Sequence, residues 1–200
     1  MPRLILASSS PRRIQLLQEG SFFPEVIAPQ VAELSCDFFT PSELARFNAK
    51  LKAAAVAALN LDAVVLGADT IVALGLEIFG KPKDFKDAGR ILGKLAGKTH
   101  EVITGVALLE PSVGRVTVQS ASSKVTLRAL SKAEIEIYLS TNNPLDKAGA
   151  YAAQNSANTL IERIDGSFTN VVGLPMEIVR PLLESVGILP SSESERRSSR

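Results

Sequence analysis

The chain has 200 residues, of which 46% are hydrophobic, enough to bury one core in a single domain or in two closely joined lobes. A formal net charge of +1, with 5% aromatic residues and no tryptophan, supplies neither the positive field nor the stacking surface that general nucleic-acid binding requires. The single cysteine, Cys36, and the single histidine, His100, exclude a disulfide framework and a thiolate or imidazole metal cage within one chain, so any metal must be held by oxygen.

The chain opens with a short apolar strand, residues 4–7, that runs into three serines, a proline and two arginines. Ser10 is suited to the N-cap of a helix and Pro11 to its first position, so free backbone N–H groups would face an incoming anion. Arg12 and Arg13 lie in that first turn, where two cations are unfavourable unless a bound polyanion compensates them. This segment predicts a phosphate-binding site, with a surface turn carrying two solvated arginines as the alternative.

A helix through Glu19 and a strand over residues 22–27 come next, followed by a polar stretch that carries Glu33. The capping box at residues 40–43 then predicts the start of a longer helix. Lys50 lies off the predicted apolar stripe of this helix. The residues of the stripe follow helical spacing and are Leu44, Phe47, Leu51, Ala54, Ala55 and Ala58.

Residues 63–68 form a nearly continuous apolar run, typical of a strand buried on both faces, and the run ends abruptly at Asp69 and Thr70. An acidic residue at the carboxyl end of a buried strand faces the crevice where open α/β sheets bind ligands. Asp69 is therefore the strongest catalytic candidate, and a turn-capping role is the alternative. Residues 71–79 predict a hairpin around Gly75.

The rest of the chain continues the alternation of helices and strands. The predicted elements are a helix over 84–96 that ends at Gly97, strands over 100–109 and 115–127, a helix from 131 toward 140, a strand over 160–165 and a last helix from near 175 to 187. From residue 190 the chain is polar, and we predict a disordered tail over 190–200 outside a single domain over 1–189. The order of elements predicts an α/β fold.

The candidate residues together suit hydrolysis of a phosphoanhydride. That reaction needs neutralisation of phosphate charge, a positioned water and usually a divalent ion that bridges phosphate oxygens and carboxylates. Glu33 and Asp69 could supply a base and oxygen ligands for magnesium or manganese. The cations are Arg12, Arg13, Lys50 and Lys81. Each lysine taken alone is also consistent with a solvated surface residue, and His100 is assigned no catalytic role.

Six short blocks, in order from about residue 3 to residue 188, resemble the Maf family, which is also described through septum-formation inhibition. The blocks are SSSPRR (8–13), GADT (67–70), GKP (80–82), GKTH (97–100), PLDKAGAY (144–151) and VVGLP (171–175). The resemblance implies a nucleoside triphosphate pyrophosphatase that releases a monophosphate and pyrophosphate. It also implies an elongated mixed sheet flanked by helices, with two lobes around a deep cleft, similar to the inosine triphosphatases, and a homodimer.

The resemblance also assigns roles to individual residues. Asp69 becomes the proposed general base, and Glu33 and Asp69 the ligands of a divalent metal cation. The residues implied to hold the triphosphate or line the cleft are Ser8, Ser10, Arg12, Arg13, Lys50 and Lys81. The residues that match the branch preferring dTTP and UTP are Arg12, Thr70 and Gln154. A glutamine amide can pair with the carbonyl and N–H edge of a pyrimidine, which gives this match a physical basis.

Several alternatives remain at this point. The chain could belong to the branch that acts on 7-methyl-GTP, or it could be a nucleotide-sensing regulator of septum formation with little hydrolysis. A phosphatase or nucleotidyl-transfer enzyme could reuse the same serine and arginine segment. No apolar run approaches membrane-spanning length and no signal-peptide pattern opens the chain, so we expect a cytoplasmic protein without membrane or nucleic-acid partners.

Overall fold

The computed structural model describes residues 2–35, 38–154 and 160–191. Its strands are β1 (Arg3–Ala7), β2 (Glu25–Val26), β3 (Ala63–Leu74), β4 (Glu77–Phe79), β5 (Thr99–Glu110), β6 (Arg115–Leu127) and β7 (Ile161–Asp165). Its helices are α1 (Pro11–Glu19), α2 (Pro41–Ala57), α3 (Phe85–Leu95), α4 (Lys132–Thr141), α5 (Phe168–Val172) and α6 (Met176–Ser185). The predicted order of elements is confirmed, except that β2 is shorter than expected and α5 was not predicted.

The strands form one seven-stranded sheet in the order β2-β1-β3-β5-β6-β7, with β4 paired to β3. β1 pairs in parallel with β2 and β3, whereas every other pairing is antiparallel. The sheet is therefore mixed, as predicted. Residues 155–159 lie outside the described residues, and so do residues 192–200, which make up most of the predicted tail. Within the described ranges, no helix is long and apolar enough to cross a membrane.

The strand that carries Asp69 is longer than predicted. β3 continues through Asp69 to Leu74, because antiparallel pairing with β5 extends from Val65 to Ala73 on one edge. On the other edge, β1 pairs with β3 only as far as Gly67, and β4 begins to pair at Val72. Residues 68–71 thus lie at an edge that neither β1 nor β4 covers, and this open interval, rather than a strand end, places Asp69 beside a crevice.

Two halves of the sheet carry separate cores. In the first half, one face packs against α1 and α6 through Leu17, Leu66 and Leu183, and the opposite face packs against α2 through Ala53 and Val65. In the second half, α3 and α4 cover the sheet. The buried residues there include Leu92, Leu95, Leu127, Ile135, Tyr138 and Leu160. The clusters of the two halves correspond to the two predicted lobes, and β3 and β5 contribute residues to both halves.

Helix α2 begins at the predicted capping box, in which Thr40 and Glu43 satisfy each other's backbone N–H groups. Its buried face, however, is not the predicted stripe, because Phe47 is 43% exposed. The buried residues of the helix are Leu44, Ala45, Asn48, Ala49, Lys52, Ala53, Val56 and Ala57. The small residues Ala45, Ala49 and Ala53, rather than the largest apolar ones, face the sheet.

Two glycines of the sheet explain this choice of face. A Cβ added at Gly67 would lie 2.5 Å from the carbonyl oxygen of Ala49, and one added at Gly105 would lie 2.3 Å from that of Ala45. The backbone of α2 therefore lies against the sheet at a distance that leaves no room for a methyl group. This contact sets the rotation of α2 about its axis and decides which of its polar side chains reach Asp69.

Candidate functional site

A cleft of about 1100 Å³ opens beside the uncovered interval of β3, at the upper end of the size range of small-molecule sites. Its wall includes the loop after β1, the segment around Glu33, part of α2 and the segment that precedes β7. The residues predicted for the site that lie on this wall are Ser8, Ser10, Arg12, Arg13, Glu33, Asp69, Thr70 and Lys81. The cleft thus brings together residues from distant parts of the sequence.

Asp69 and Glu33 share one cation, Lys52. Lys52 Nζ lies 2.6 Å from Asp69 Oδ1 and 2.6 Å from Glu33 Oε1, and the side chain of Asp69 is only 7% exposed. Asn48, one helical turn before Lys52, places its Nδ2 3.4 Å from Asp69 Oδ2 and binds the backbone of Leu34. The two α2 side chains thus fix the Asp69 carboxylate and the chain segment that carries Glu33.

The charges of this cluster act on Glu33. Partial burial opposes ionisation of Glu33, but the hydrogen bond and charge of Lys52, together with the charges of Lys81 and Arg13, lower the pKa of Glu33 below its usual value. Glu33 is therefore available as an anion at neutral pH, and it shares its cationic partner, Lys52, with Asp69.

Lys50, predicted to line the cleft, does not do so. It is exposed on the outer side of α2 and is absent from the cleft wall. Lys52, two residues later, lies about 200° further around the helix, since each residue advances about 100°. The resemblance matches the cleft lysine to Lys50, and the predicted apolar stripe does not correct this match, because it places another face of α2 against the sheet. We therefore replace Lys50 with Lys52 as the cleft lysine of this helix.

Arg13 joins three elements on the opposite side of β3. Its Nε donates to the carbonyl oxygen of Gly173 at 2.8 Å, its Nη1 to Ser8 Oγ at 3.1 Å and its Nη2 to Thr70 Oγ1 at 3.1 Å. Burial lowers the pKa of Arg13, and the negative charges of Asp69 and Glu33 oppose this effect. Three of its five N–H donors are used in these bonds, so two remain for a ligand.

Arg12 reaches across the cleft to Asp146, in the segment before β7. Arg12 Nη1 donates to Asp146 Oδ2 at 3.0 Å, and Nη2 donates to the Asp146 backbone oxygen at 3.3 Å. Partial burial opposes ionisation of Asp146, but hydrogen bonds from Lys147 and Arg12 lower its pKa. Arg12 is thus held by an anion on the far wall, and sequence reasoning had assigned no role to Asp146 or Lys147.

The remaining predicted residues are placed less centrally. Ser10 is the N-cap of α1, as predicted, but its hydroxyl makes no capping bond, and its backbone N–H donates to Ser8 Oγ at 3.2 Å. Lys81 is exposed on the cleft wall. Gln154 is half-buried. Its neighbour Ala153 lines the cleft, but Gln154 does not.

Residues 3–186 match the family described as Maf-like protein. The chain belongs to the Maf family. A relative in Dictyoglomus thermophilum, named dTTP/UTP pyrophosphatase, is 43% identical over 185 residues, which cover 92% of this chain and 96% of the relative. A relative in Aquifex aeolicus with the same name is 45% identical over 192 residues, which cover 96% of this chain and 100% of the relative.

The fold of this Maf protein is also similar to a solved structure, that of the Staphylococcus aureus Ham1 protein. The TM-score is 0.51 and the similarity covers 92% of this chain and 99% of that one. At 14% sequence identity the comparison concerns the fold alone. The expected mixed α/β fold is confirmed by the sheet topology and by this similarity.

The carboxylates of the Maf site suit a hard divalent cation. Glu33 and Asp69 each place an oxygen 2.6 Å from the Lys52 nitrogen, so the two carboxylates lie close together with the Lys52 ammonium group between them. No group of three or more His, Cys, Asp or Glu residues that could hold a metal occurs within the described ranges. Carboxylate oxygens are ligands that Mg²⁺ prefers, so Glu33 and Asp69 are the residues of this site that could hold a divalent cation.

Proposed function

We propose that this Maf protein hydrolyses dTTP and UTP to the nucleoside monophosphate and pyrophosphate. The observation that carries the proposal is the convergence of two carboxylates, a buried lysine and two arginines on one cleft that can contain a nucleotide. The names of the relatives in Dictyoglomus thermophilum and Aquifex aeolicus support the same reaction and the same bases.

In this proposal the triphosphate lies between the loop after β1 and the far wall of the cleft. Ser8 and Ser10 are placed beside Arg13, whose two remaining N–H groups would bind phosphate oxygens. Arg12 and Lys81 would take up further negative charge, which grows on the leaving pyrophosphate as the bond breaks. Stabilisation of that charge is the largest contribution that we expect from the protein.

Asp69 would act as the general base. It removes a proton from a water molecule whose oxygen bonds to the α-phosphorus, while the bond from that phosphorus to the bridging oxygen of the β-phosphate breaks and pyrophosphate leaves. Lys52 and Asn48 hold the Asp69 carboxylate in place, so its orientation does not have to be established during the reaction.

A divalent metal cation, magnesium or manganese, would be held by Glu33 and Asp69 together with phosphate oxygens. When bound, it would neutralise phosphate charge and polarise the phosphorus–oxygen bonds. We place the enzyme in the cytoplasm, where its substrates are used, and the homodimer implied by the family resemblance stays a prediction.

The family resemblance assigns base recognition to Thr70, Arg12 and Gln154, of which Thr70 and Arg12 line the cleft. Side chains alternate along a strand, so Asp69 points to the face of β3 that α2 covers, whereas Thr70 points to the face where Arg13 and Gly173 lie. Thr70 is therefore separated from the carboxylate cluster by the strand itself, which supports a contact with another part of the nucleotide than the reacting phosphorus.

The proposal is tested by phosphorus NMR of the products formed from dTTP, UTP, GTP, ATP and 7-methyl-GTP, with and without magnesium or manganese. We expect pyrophosphate with dTMP or UMP. Orthophosphate alone would identify a phosphatase, and tight binding without turnover would identify a nucleotide sensor. Preference for 7-methyl-GTP would instead place the protein in the other branch.

The role of Asp69 is tested separately by Asp69→Asn, with Asp62→Asn as the control at an exposed carboxylate just before β3. The amide oxygen can still accept a hydrogen bond from Lys52, so we expect a folded protein that has lost at least about 100-fold in kcat. Near wild-type turnover by folded Asp69→Asn would show that Asp69 is not the base.

A further inference from the structure

Thr104, a fully buried threonine of β5, is connected to the cleft through Thr70. The two residues are register partners on neighbouring strands, and their hydroxyl oxygens lie 3.0 Å apart. Thr104 Oγ1 also donates to the backbone oxygen of Asn170 at 3.1 Å. Thr104 does not line the cleft, so any effect on a ligand must pass through Thr70.

The positions of the protons in this chain of hydrogen bonds follow from chemistry. A threonine hydroxyl has one proton, a backbone carbonyl oxygen only accepts, and an arginine N–H only donates. Because Thr104 donates its only hydroxyl proton to the carbonyl oxygen of Asn170, the bond between the two threonines requires Thr70 to be the donor. Because Arg13 Nη2 also donates to Thr70 Oγ1, the only capacity that Thr70 retains toward a ligand is that of an acceptor.

The opposite arrangement is unfavourable. If Thr104 donated to Thr70, the oxygens of Thr104 and Asn170 would face each other at 3.1 Å with no proton between them, in a fully buried environment. The Asn170 carbonyl oxygen would keep only the N–H of Gly173, which lies 3.0 Å from it. The buried hydrogen bond from Thr104 to Asn170 therefore fixes the direction of the hydrogen bond between Thr70 and Thr104.

We propose that Thr104 is a positioning residue for base specificity. It accepts the hydrogen bond that the Thr70 hydroxyl donates, so Thr70 can only accept a hydrogen bond from the base, and it favours a base whose ring nitrogen carries a hydrogen. Uracil and thymine carry this hydrogen at N3, whereas cytosine has a lone pair there, so Thr70 attracts the first two bases and repels the third. The inference rests on the proposed function, in which Thr70 contacts the base. A site built around one hydrogen bond rejects a ligand that lacks the donor, because the partner is left unpaired.

The test compares kcat/KM for UTP and CTP in the wild type and in Thr104→Val, which keeps the shape of the side chain and removes its oxygen. With that acceptor gone, the Thr70 hydroxyl can turn its proton into the cleft and donate to cytosine N3. We expect the wild type to prefer UTP, and Thr104→Val to lower the UTP/CTP ratio about tenfold or more. Thr104→Ser, which keeps the hydroxyl, should restore most of the preference.

The matched control is Thr99→Val, the same substitution in another threonine pair of the sheet, where Thr99 Oγ1 lies 2.8 Å from Thr126 Oγ1 away from the cleft. It should leave the ratio unchanged. In a Thr70→Val background, Thr104→Val should have no further effect on the ratio, since its effect passes through the Thr70 hydroxyl.

The possible results distinguish a failure of this inference from a failure of the proposed function. Absence of monophosphate and pyrophosphate from every nucleotide with the wild type would overturn the proposed function. A wild type that produces them but uses CTP as well as UTP would overturn the inference without any variant, even if Thr104→Val does not fold. Equal losses on UTP and CTP in a folded Thr104→Val would also overturn it, because they would indicate a merely structural role.

Discussion

Replacing Lys52 with methionine tests the centre of the site, and replacing Lys50 in the same way supplies the control. Both lysines lie on α2 two residues apart, and methionine has a similar length and helix propensity without the charge. Lys52 is the cationic partner of both Asp69 and Glu33, whereas Lys50 is exposed on the other side of the helix. Any general effect of removing a lysine from α2 should appear in both variants.

The expected loss follows from the burial of the two partners. The Asp69 side chain is 7% exposed, and removing one partner of such a buried pair costs about 3 to 5 kcal/mol. The Glu33 side chain is 46% exposed, so water screens its pair with Lys52 and that pair adds at most about 1 kcal/mol. Asn48 stays near Asp69, which favours the lower end, about 3 kcal/mol of unfolding free energy, or a fall in Tm of about 6 to 12 °C.

The Lys52→Met variant should also lose turnover, in addition to its loss of unfolding free energy. Lys52 also fixes the proposed base, and loss of one charged group from a preorganised site lowers kcat by about 100-fold or more. Thermal unfolding and steady-state release of pyrophosphate measure the two effects on the same samples. Lys50→Met should stay within about 0.5 kcal/mol of the wild type and keep its turnover. If the two variants behave alike, or if Lys52→Met keeps both its Tm and its kcat, the assignment of the cleft lysine is refuted.

Three further predictions concern the packing, the pH response and the far wall of the cleft. Gly105→Ala would place its Cβ 2.3 Å from an α2 carbonyl oxygen, so it should lower the unfolding free energy measured by chemical denaturation by about 1 to 3 kcal/mol. The control Gly93→Ala, in α3 with no atom within 4 Å of the new Cβ, should raise it by about 0.5 to 1 kcal/mol. Equal stabilities of the two variants would show that α2 does not contact the sheet this closely. Burial lowers the pKa of His100 to about 4 from an ordinary value of 6.5, so the unfolded chain takes up its proton first as the pH falls, and this histidine should remove about 3 kcal/mol of stability between pH 6.5 and 4. Tm measured against pH should therefore fall less steeply in His100→Gln, and parallel curves would contradict the buried neutral state. Asp146→Asn should raise KM for UTP by about 1.5- to fivefold with kcat unchanged, because the ion pair that orients Arg12 is partly exposed. An unchanged KM would mean that this contact does not orient Arg12 for the substrate.

Local signals in the sequence were sufficient for most of the fold. The capping boxes at Thr40 and Ser131 each satisfy backbone donors within one turn, and they mark the true starts of α2 and α4. The apolar run before Asp69 predicted a buried strand, and a carboxylate after such a run needs a polar surrounding wherever the strand ends. Asp69 was therefore identified as a site residue although β3 continues past it to Leu74.

What could not be predicted depends on contacts between distant elements. The face of α2 is chosen by its close contact with Gly67 and Gly105, and no property of the helix sequence alone distinguishes Lys52 from Lys50 before that contact is known. Asp146 meets Arg12 across 134 positions of the chain. A paired search for glycines in adjacent strands and alanines at helical spacing could have indicated the correct face of α2.

The shared strands of the sheet also determine how the enzyme can move. β3 and β5 run through both lobes and are joined by nine consecutive register pairs from Val65 to Ala73, with Asp69 and Thr70 near the middle. A hinge between the lobes would have to break or bend this ladder. We therefore expect the width of the cleft to change little when a nucleotide binds, and side chains and loops to make most of the adjustment. We expect turnover without a lobe-closing step, so that the geometry around Asp69 is the same in the free enzyme as during the reaction.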